Sequence, residues 1–132
     1  MRWAIVGRGR LGRTLAVVLP TVGHPATTIG REGTIPADVD GVLLCVPDNT
    51  LLEVVFRVPP DRVVLHCSGA LDVDVLAPHA HRGSFHPLMT FPGPEIAIPD
   101  LHGVPAAVAG TPDALAAAAN LARDLGMDPF EV

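Results

Sequence analysis

The 132-residue chain contains no lysine and no tyrosine, so all nine of its basic residues are arginines. The absence of lysine excludes Schiff-base chemistry by the chain, and the absence of tyrosine excludes a phenol as proton donor. Positive charge is also in deficit, because the formal net charge is -5. This balance argues against a nucleic-acid-binding surface.

Long apolar runs are absent as well. No segment reaches the length of a membrane span, and the first apolar run is broken at Gly7, unlike a signal peptide. The two cysteines, Cys45 and Cys67, lie in apolar runs without a C-x-x-C pattern, so no disulfide framework is predicted and a cytoplasmic protein is expected. With 48% hydrophobic residues, residues 1–132 are expected to form one domain around a buried sheet.

The most informative pattern present is a G-x-G-x-x-G motif between the apolar run Arg2–Val6 and an amphipathic helical segment. In such a motif Gly7 permits a tight turn, Gly9 lets the backbone approach a pyrophosphate, and Gly12 lets the helix pack closely on the strand. The helix N-terminus adds unpaired N–H groups for phosphate. The motif predicts dinucleotide binding by Gly7, Arg8, Gly9, Arg10, Leu11 and Gly12; the alternative is a glycine-rich turn without a ligand.

Strand-like runs alternate with helical patterns along the chain, which predicts an α/β fold with a parallel sheet. The gap between Ile29 and Gly41 is too short for a helix and a further strand, so a shortened crossover is predicted there. Strands are predicted at Arg2–Val6, Ala26–Ile29, Gly41–Val46, Arg62–His66, Gly83–His86, Val104–Ala109 and Pro129–Val132. Helices are predicted at Arg10–Leu19, after a capping box at Thr50–Glu53, at Leu71–Leu76, and from Thr111 as N-cap to Leu125 with Gly126 as C-cap.

The residues after the second strand bear on the choice of dinucleotide. An acidic residue there would bind the adenosine ribose of NAD, but the chain has Gly30-Arg31. Arg31 can bind a 2′-phosphate, which favours NADP over NAD; the alternative is a solvated loop residue. Val46 and Pro47 lie at a strand end and are predicted to bind the cofactor. Pro47 is expected to hold backbone against the ribose or adenine side, and Asp48 is expected to cap the next helix.

Two further strand ends carry polar groups. Ser68 and Gly69 follow a buried strand, so a hydroxyl and a backbone N–H there could bind a substrate carbonyl or carboxylate; the alternative is that Ser68 caps the next segment. His86 is a candidate general acid, or a structural histidine bonded to backbone. His79 and His81 suggest a metal together with Cys67 or His86, but the spacing fits no known pattern and no metal site is predicted.

Four segments, Val6–Gly12, Leu43–Asp48, His66–Ala70 and Ser84–Leu88 followed by Phe91, occur in this order. Together they resemble the Rossmann-like oxidoreductases that carry a C-terminal helical domain of unknown function, relatives of pyrroline-5-carboxylate reductase, deazaflavin-dependent NADP reductases and β-hydroxyacid dehydrogenases. The resemblance covers nearly the whole chain. It implies a Rossmann-like, doubly wound, mostly parallel sheet. It also implies NADP at Gly7, Gly9, Gly12 and Arg31, and a nicotinamide near Val46, Pro47, Ser68 and His86.

The resemblance also implies what the chain lacks. In the related reductases the helical domain dimerises and closes the substrate pocket, and a chain that stops at Val132 is expected to be without it. A homodimer or a partner chain is therefore expected. The function expected is hydride transfer between NADP and a small carbonyl or imine, with Ser68 orienting the substrate and His86 as proton donor. The alternatives are a nucleotide-binding module without turnover, and an assembly domain that binds no nucleotide.

Overall fold

The computed structural model describes residues 1–132 and contains one seven-stranded sheet. The strands are β1 (Trp3–Val6), β2 (Ala26–Ile29), β3 (Gly41–Leu44), β4 (Val63–His66), β5 (Arg82–Pro87), β6 (Pro105–Gly110) and β7 (Asp128–Glu131). The helices are α1 (Arg10–Val18), α2 (Leu51–Val55) and α3 (Pro112–Asp124), with 3₁₀ turns at Leu19–Val22, Asp48–Thr50 and Val73–Leu76. The strand order is β2-β1-β3-β4-β5-β6-β7, and only the β5–β6 pair is antiparallel. The predicted doubly wound, mostly parallel α/β sheet is confirmed.

The crossover after β2 is short, as predicted. Residues 30–40 return the chain to β3 without a helix and without a further strand. β2 therefore remains at the edge of the sheet, and β1 lies between β2 and β3. This arrangement leaves the carboxyl ends of β1 and β3 side by side.

Apolar side chains alternate between the two faces of the sheet and form two cores. One face packs against α1 and α3, and its fully buried residues include Trp3, Ile5, Leu43, Leu65 and Phe85. The other face packs against α2 and the turn at Val73–Leu76, with Val6, Leu44, Val64 and Leu76 among its buried residues. Burial on both faces explains why the central strands read as continuous apolar runs.

Two predicted helix starts differ in detail. The capping box at Thr50–Glu53 is wrong, because the chain enters α2 through a 3₁₀ turn and the Thr50 hydroxyl donates to the Pro47 carbonyl at 2.9 Å. Thr111 is the N-cap of α3, and Pro112 is the first residue of the helix. The Thr111 hydroxyl donates to the Arg82 carbonyl at 3.3 Å, so it does not cap the helix.

The helix predicted at Leu71–Leu76 is a 3₁₀ turn that starts with the Asp72 carboxylate, which accepts the Asp74 amide at 2.7 Å. α3 ends one residue earlier than predicted, and Gly126 follows it with a φ of +84°. The longest helix has 13 residues, and no helix combines the length and apolar character needed to cross a membrane.

Candidate functional site

The candidate site lies where the order of the sheet reverses. β1 pairs in parallel with β2 on one side and with β3 on the other, so the connections that leave β1 and β3 diverge. Ligands of open α/β sheets bind at such a switch point, outside the carboxyl ends of the strands. Here the glycine motif follows β1 and the segment 45–47 follows β3.

The glycine loop is tightly held at both ends and open in the middle. Gly7 has a φ of +113°, and a Cβ there would lie 2.2 Å from the carbonyl oxygen of Cys45. At Gly12 a Cβ would lie 3.0 Å from the carbonyl oxygen of Gly7. At Gly9 a Cβ would meet nothing within 4 Å. The packing of the protein itself requires glycine at both ends, whereas Gly9 borders free space.

The N-terminus of α1 points unsatisfied amides at this space. Its N-cap, Gly9, has no side chain, and the first turn contains no acidic residue. The amides of Arg10, Leu11 and Gly12 have no acceptor within the helix. They carry the partial positive charge of the helix terminus, which is a favourable place for a phosphate group.

Two adjoining cavities form a groove along this edge. The first, of about 400 Å³, is lined by Gly7, Arg8, Gly9, Gly30, Arg31, Cys45, Val46 and Pro47. The second, of about 300 Å³, is lined by residues 9–12, 45–48, 67 and 68. Gly9 and residues 45–47 border both cavities, and we call this shared part the waist of the groove. The predicted residues Val46 and Pro47 therefore lie at the waist. The groove has room for an extended ligand with two halves.

Three exposed arginines surround this groove without any partner in the chain. Arg8 and Arg31 line the first cavity, and Arg10 lines the second. The guanidinium of Arg8 lies 3.7 Å from the position of a Cβ on Gly30, so it extends over the end of β2. By contrast, Arg13 is paired with Glu95, Arg62 with Asp61 and Arg82 with Asp74. The unpaired arginines give the groove a local positive charge within an acidic protein.

Ser68 lies at the second cavity, but its hydroxyl is occupied within the protein. It donates to the Asp48 carboxylate at 3.1 Å and accepts the amides of Ala70 and Leu71 at 3.1 and 3.2 Å. The expectation that Asp48 caps a helix is wrong, because its carboxylate binds Ser68 and the following turn has no side-chain cap. Ser68 thus ties the loop after β4 to the loop after β3.

His66 is a structural residue of the site that the sequence reasoning did not single out. Its ring is fully buried, with Nε2 donating to the Asp72 carbonyl at 3.1 Å and Nδ1 accepting the Ser68 amide at 3.1 Å. Burial lowers the pKa of His66, although the Asp72 hydrogen bond and the charges of Asp48 and Asp72 oppose that shift. His66 accepts the Ser68 amide, whereas the Gly69 amide has no acceptor in the protein.

His86 packs directly against that loop. Its Nδ1 lies 3.2 Å from the Cys67 carbonyl, to which it donates. Its Nε2 would lie 2.6 Å from a Cβ at residue 69, so only glycine leaves room for the ring. The structure therefore brings Ser68, Gly69 and His86 together, with His86 held by backbone on one side.

The two cysteines face each other across the same edge. The Sγ atoms of Cys45 and Cys67 are 3.7 Å apart, and both thiols are free. The hydrogen bond to Cys45 and the burial of Cys67 raise the pKa of the Cys67 thiol well above its usual value.

His79 and His81 lie apart from this edge. His79 binds the Val55 carbonyl at 2.9 Å, and His81 pairs with Asp113 at 3.2 Å. No group of three or more histidine, cysteine or acidic side chains is arranged to hold a metal ion.

A family model described as a Rossmann-like domain matches residues 25–92. The chain belongs to the Rossmann-like domain family. A search of the curated proteins found no significant match.

Solved structures share this Rossmann-like fold at low identity. Protein TM1727 from Thermotoga maritima is 22% identical, with a TM-score of 0.73 over 98% of this chain and 56% of that chain. The arogenate dehydrogenase from Synechocystis is 18% identical, with a TM-score of 0.81 over 100% of this chain and 59% of that one. An imine reductase from Aspergillus terreus, solved with NADPH4 and dibenz[c,e]azepine, is 18% identical, with a TM-score of 0.74 over 99% and 54% of the two chains. The chain thus spans a little over half the length of these proteins.

The Rossmann-like domain therefore carries a coherent but divided site. The first cavity is bordered by the unpaired guanidinium groups of Arg8 and Arg31, and both cavities border Gly9. The second cavity borders the N-terminus of α1 and reaches Ser68 in the loop after β4. Such an arrangement can hold a phosphate-containing ligand by charge and by backbone amides.

Proposed function

We propose that the chain binds NADP in this groove, as the nucleotide-binding part of an oxidoreductase that transfers hydride to or from a small carbonyl or imine. The observation that carries the proposal is the set of three unpaired arginines, Arg8, Arg10 and Arg31, around an open glycine loop at a helix N-terminus. Free guanidinium groups and helix amides are the groups that proteins use to bind phosphate.

The first cavity suits the adenosine half of the cofactor. The 2′-phosphate of NADP would lie between the guanidinium groups of Arg8 and Arg31, which can bind it through several oxygens. Proteins that bind NAD use a carboxylate at the end of this strand to bind the ribose. Here Gly30 and Arg31 line the cavity at the end of β2, and the nearby carboxylate of Glu32 does not line it. NADP is therefore favoured over NAD.

The waist and the second cavity suit the rest of the cofactor. The pyrophosphate would accept hydrogen bonds from the α1 amides beside Gly9, where a side chain is missing and space is free. The nicotinamide would supply or accept the hydride in the second cavity. Val46 and Pro47 provide the wall between the halves. The Gly69 amide, which has no acceptor in the protein and follows Ser68 at the second cavity, can donate to a substrate oxygen or nitrogen.

His86 is proposed as the proton donor, and its hydrogen bond to the Cys67 carbonyl decides which ring nitrogen can donate. Its Nδ1 proton is directed at the Cys67 carbonyl, so only Nε2 remains for a substrate. In the neutral ring with that tautomer Nε2 carries no proton, and it can donate only when the ring is an imidazolium. The Ser68 hydroxyl donates to Asp48, so it does not donate to a substrate. Ser68 is therefore proposed to orient the substrate through the shape of its loop.

Oxidoreductase names among the structural neighbours support the class of reaction. One is an arogenate dehydrogenase and another an imine reductase, and both share the fold over essentially the whole of this chain. Fold alone does not determine chemistry, so substrate and direction of transfer rest on the site residues.

The test is calorimetric titration of the purified chain with NADPH and, separately, with NADH. We expect tighter binding of NADPH, and a loss of about tenfold or more in NADPH affinity on Arg31→Ala, because a charge-assisted contact to phosphate disappears. Arg2→Ala is the matched control. It removes the same exposed charge at the opposite end of β1, and it should leave the affinity unchanged.

A second candidate function is nucleotide binding without turnover. It is favoured by one observation, that the Ser68 hydroxyl is fully bound within the protein. Assaying NADPH oxidation with a set of small cyclic imines and ketones separates the two candidates. Turnover that His86→Gln abolishes supports the reductase, whereas tight NADPH binding with no turnover of any substrate supports the binding module. Failure to bind either nucleotide contradicts both.

We also propose that the chain forms a homodimer through the exposed edge of β2. The short crossover leaves this strand without a neighbour on its outer side, and Thr27 and Thr28 are exposed on it. An uncovered edge is a natural site for strand pairing with a second copy.

A further inference from the structure

Two thiols lie side by side in the wall of the groove. Cys45 follows β3 and Cys67 follows β4, and the register that pairs Leu44 with His66 places the two cysteines opposite each other. Both side chains point to the face of the sheet that carries α1, and their Sγ atoms are 3.7 Å apart. Neither thiol has a role in the proposed function.

We propose that Cys45 and Cys67 are an oxidation site, where a reversible disulfide forms in the wall of the groove and weakens dinucleotide binding. The disulfide itself is independent of the proposed function, and its effect on binding rests on that function.

The backbone already has the spacing that a disulfide needs. Neighbouring strands are about 4.8 Å apart, and the Cα atoms of disulfides are usually about 4.4 to 6.8 Å apart. The sulfur atoms need to approach from 3.7 Å to the bond length of about 2.05 Å. Rotation of the side chains with a small shift of the strand ends can supply this movement.

The reaction requires an oxidant, for which we name a hydroperoxide. Cys45 borders both cavities, whereas Cys67 borders only the second, so Cys45 is the thiol that meets the oxidant first. Its sulfur attacks the peroxide, the O–O bond breaks, and a sulfenic acid forms with release of water or an alcohol. The Cys67 sulfur then attacks the Cys45 sulfur, and the hydroxyl leaves as water with the Cys67 proton. The two sulfurs lose two electrons in total, and the peroxide gains them.

The link to the groove comes from the packing around Cys45. Its carbonyl oxygen lies against Gly7, and its Cβ would be 3.3 Å from a Cβ on Gly12, so it contacts both ends of the glycine loop. Its amide is bound to the Val6 carbonyl at 2.8 Å. Because protein interiors are closely packed, drawing Cys45 toward Cys67 shifts the loop that holds the phosphates.

The first experiment measures the bond itself. The reduced chain is treated with hydrogen peroxide, quenched with a thiol-alkylating reagent and digested with trypsin. We expect the intact mass to fall by two hydrogen atoms, and peptide Glu32–Arg57 to be linked to peptide Val63–Arg82 until a dithiol reductant is added. Alkylation of both cysteines after peroxide treatment, or oxidation only to sulfinic acid or to intermolecular dimers, would overturn the proposal.

The second experiment measures the coupling. NADPH affinity is determined for the same protein in the reduced and the oxidised form, and we expect the oxidised form to bind about fivefold or more weakly. In Cys67→Ser, where no intramolecular disulfide can form, peroxide treatment followed by thiol reduction of the sulfenic acid should leave the affinity of that variant unchanged. Equal affinities of the two wild-type forms would contradict the coupling. A disulfide in a chain that binds no nucleotide even when reduced would refute the proposed function and the coupling, and leave the oxidation site standing.

Discussion

At the scale of single residues, two glycines of one loop have different roles. Gly7 is required by the fold, because its φ of +113° and the nearby Cys45 carbonyl leave no place for a side chain. Gly9 has ordinary extended backbone, with φ −75° and ψ −177°, and no neighbour where a Cβ would be. Any requirement for glycine at residue 9 must therefore come from a ligand.

The substitutions Gly9→Ala and Gly7→Ala should separate these roles. For Gly9→Ala we expect a free energy of unfolding within about 0.5 kcal/mol of the wild type, and NADPH affinity lower by about tenfold or more. For Gly7→Ala we expect a loss of about 3 kcal/mol or more, from backbone strain and the clash with the carbonyl. Denaturant unfolding and calorimetric titration check the two quantities. Unchanged NADPH affinity in Gly9→Ala would place the phosphates elsewhere.

His66 should make the stability of the protein depend on pH. Its pKa in the folded chain lies below the ordinary 6.5, because its ring is buried. Above about pH 6.5 the ring is neutral in both states, so it contributes no pH dependence. Below that pH the unfolded chain takes up the proton first, and the free energy of unfolding falls until the pH drops below the folded-state pKa. The slope from one proton is at most about 1.4 kcal/mol per pH unit.

The variant His66→Asn isolates this contribution. The Asn oxygen can still accept the Ser68 amide, but the side chain does not titrate and cannot reach the Asp72 carbonyl. We expect it to be less stable at neutral pH, yet to lose less stability between about pH 7 and pH 5 than the wild type. Urea unfolding over this range measures the difference. Parallel curves for the two proteins would show that another group carries the pH dependence.

At the scale of elements, the strands were the predictable part. Each central strand is buried on both faces, so a continuous apolar run such as Gly41–Leu44 marks it without any knowledge of its partners. The short crossover was also predictable, because counting residues between Ile29 and Gly41 excludes a helix and a strand. The glycine loop followed from its place between a strand and a helix, since backbone geometry there depends on neighbours in sequence.

The polar contacts between elements were not predictable in the same way. Thr50 lies in a capping pattern, but its hydroxyl binds Pro47, because the chain enters α2 through a 3₁₀ turn. Asp48 and Ser68 are twenty residues apart and meet only because β3 and β4 are adjacent and in register. His66 could have been found, since it is a polar residue at the end of a buried apolar strand and must bind something there.

At the scale of the whole molecule, the sheet ends in an uncovered edge at β2. The Pro25 carbonyl accepts the Trp3 amide at 2.8 Å, and the Ile29 carbonyl accepts the Gly7 amide at 2.9 Å. Pro25 and Ile29 therefore direct their backbone toward β1, and so does Thr27, which lies midway between them. Thr28 alternates with them and directs its N–H away from the sheet. A second copy of the chain could pair with that outward side.

The alternation gives two matched proline substitutions. Thr28→Pro removes an outward N–H, which costs the isolated chain little because edge strands tolerate proline in that orientation. If the homodimer pairs through β2, this variant should be monomeric while the wild type is dimeric, in light scattering over a roughly hundredfold range of concentration. Thr27→Pro removes an N–H directed at β1 and should instead lower the free energy of unfolding by about 3 kcal/mol or more. A wild type that stays monomeric at the highest concentration, or a Thr28→Pro variant that dimerises as the wild type does, would remove β2 as the interface.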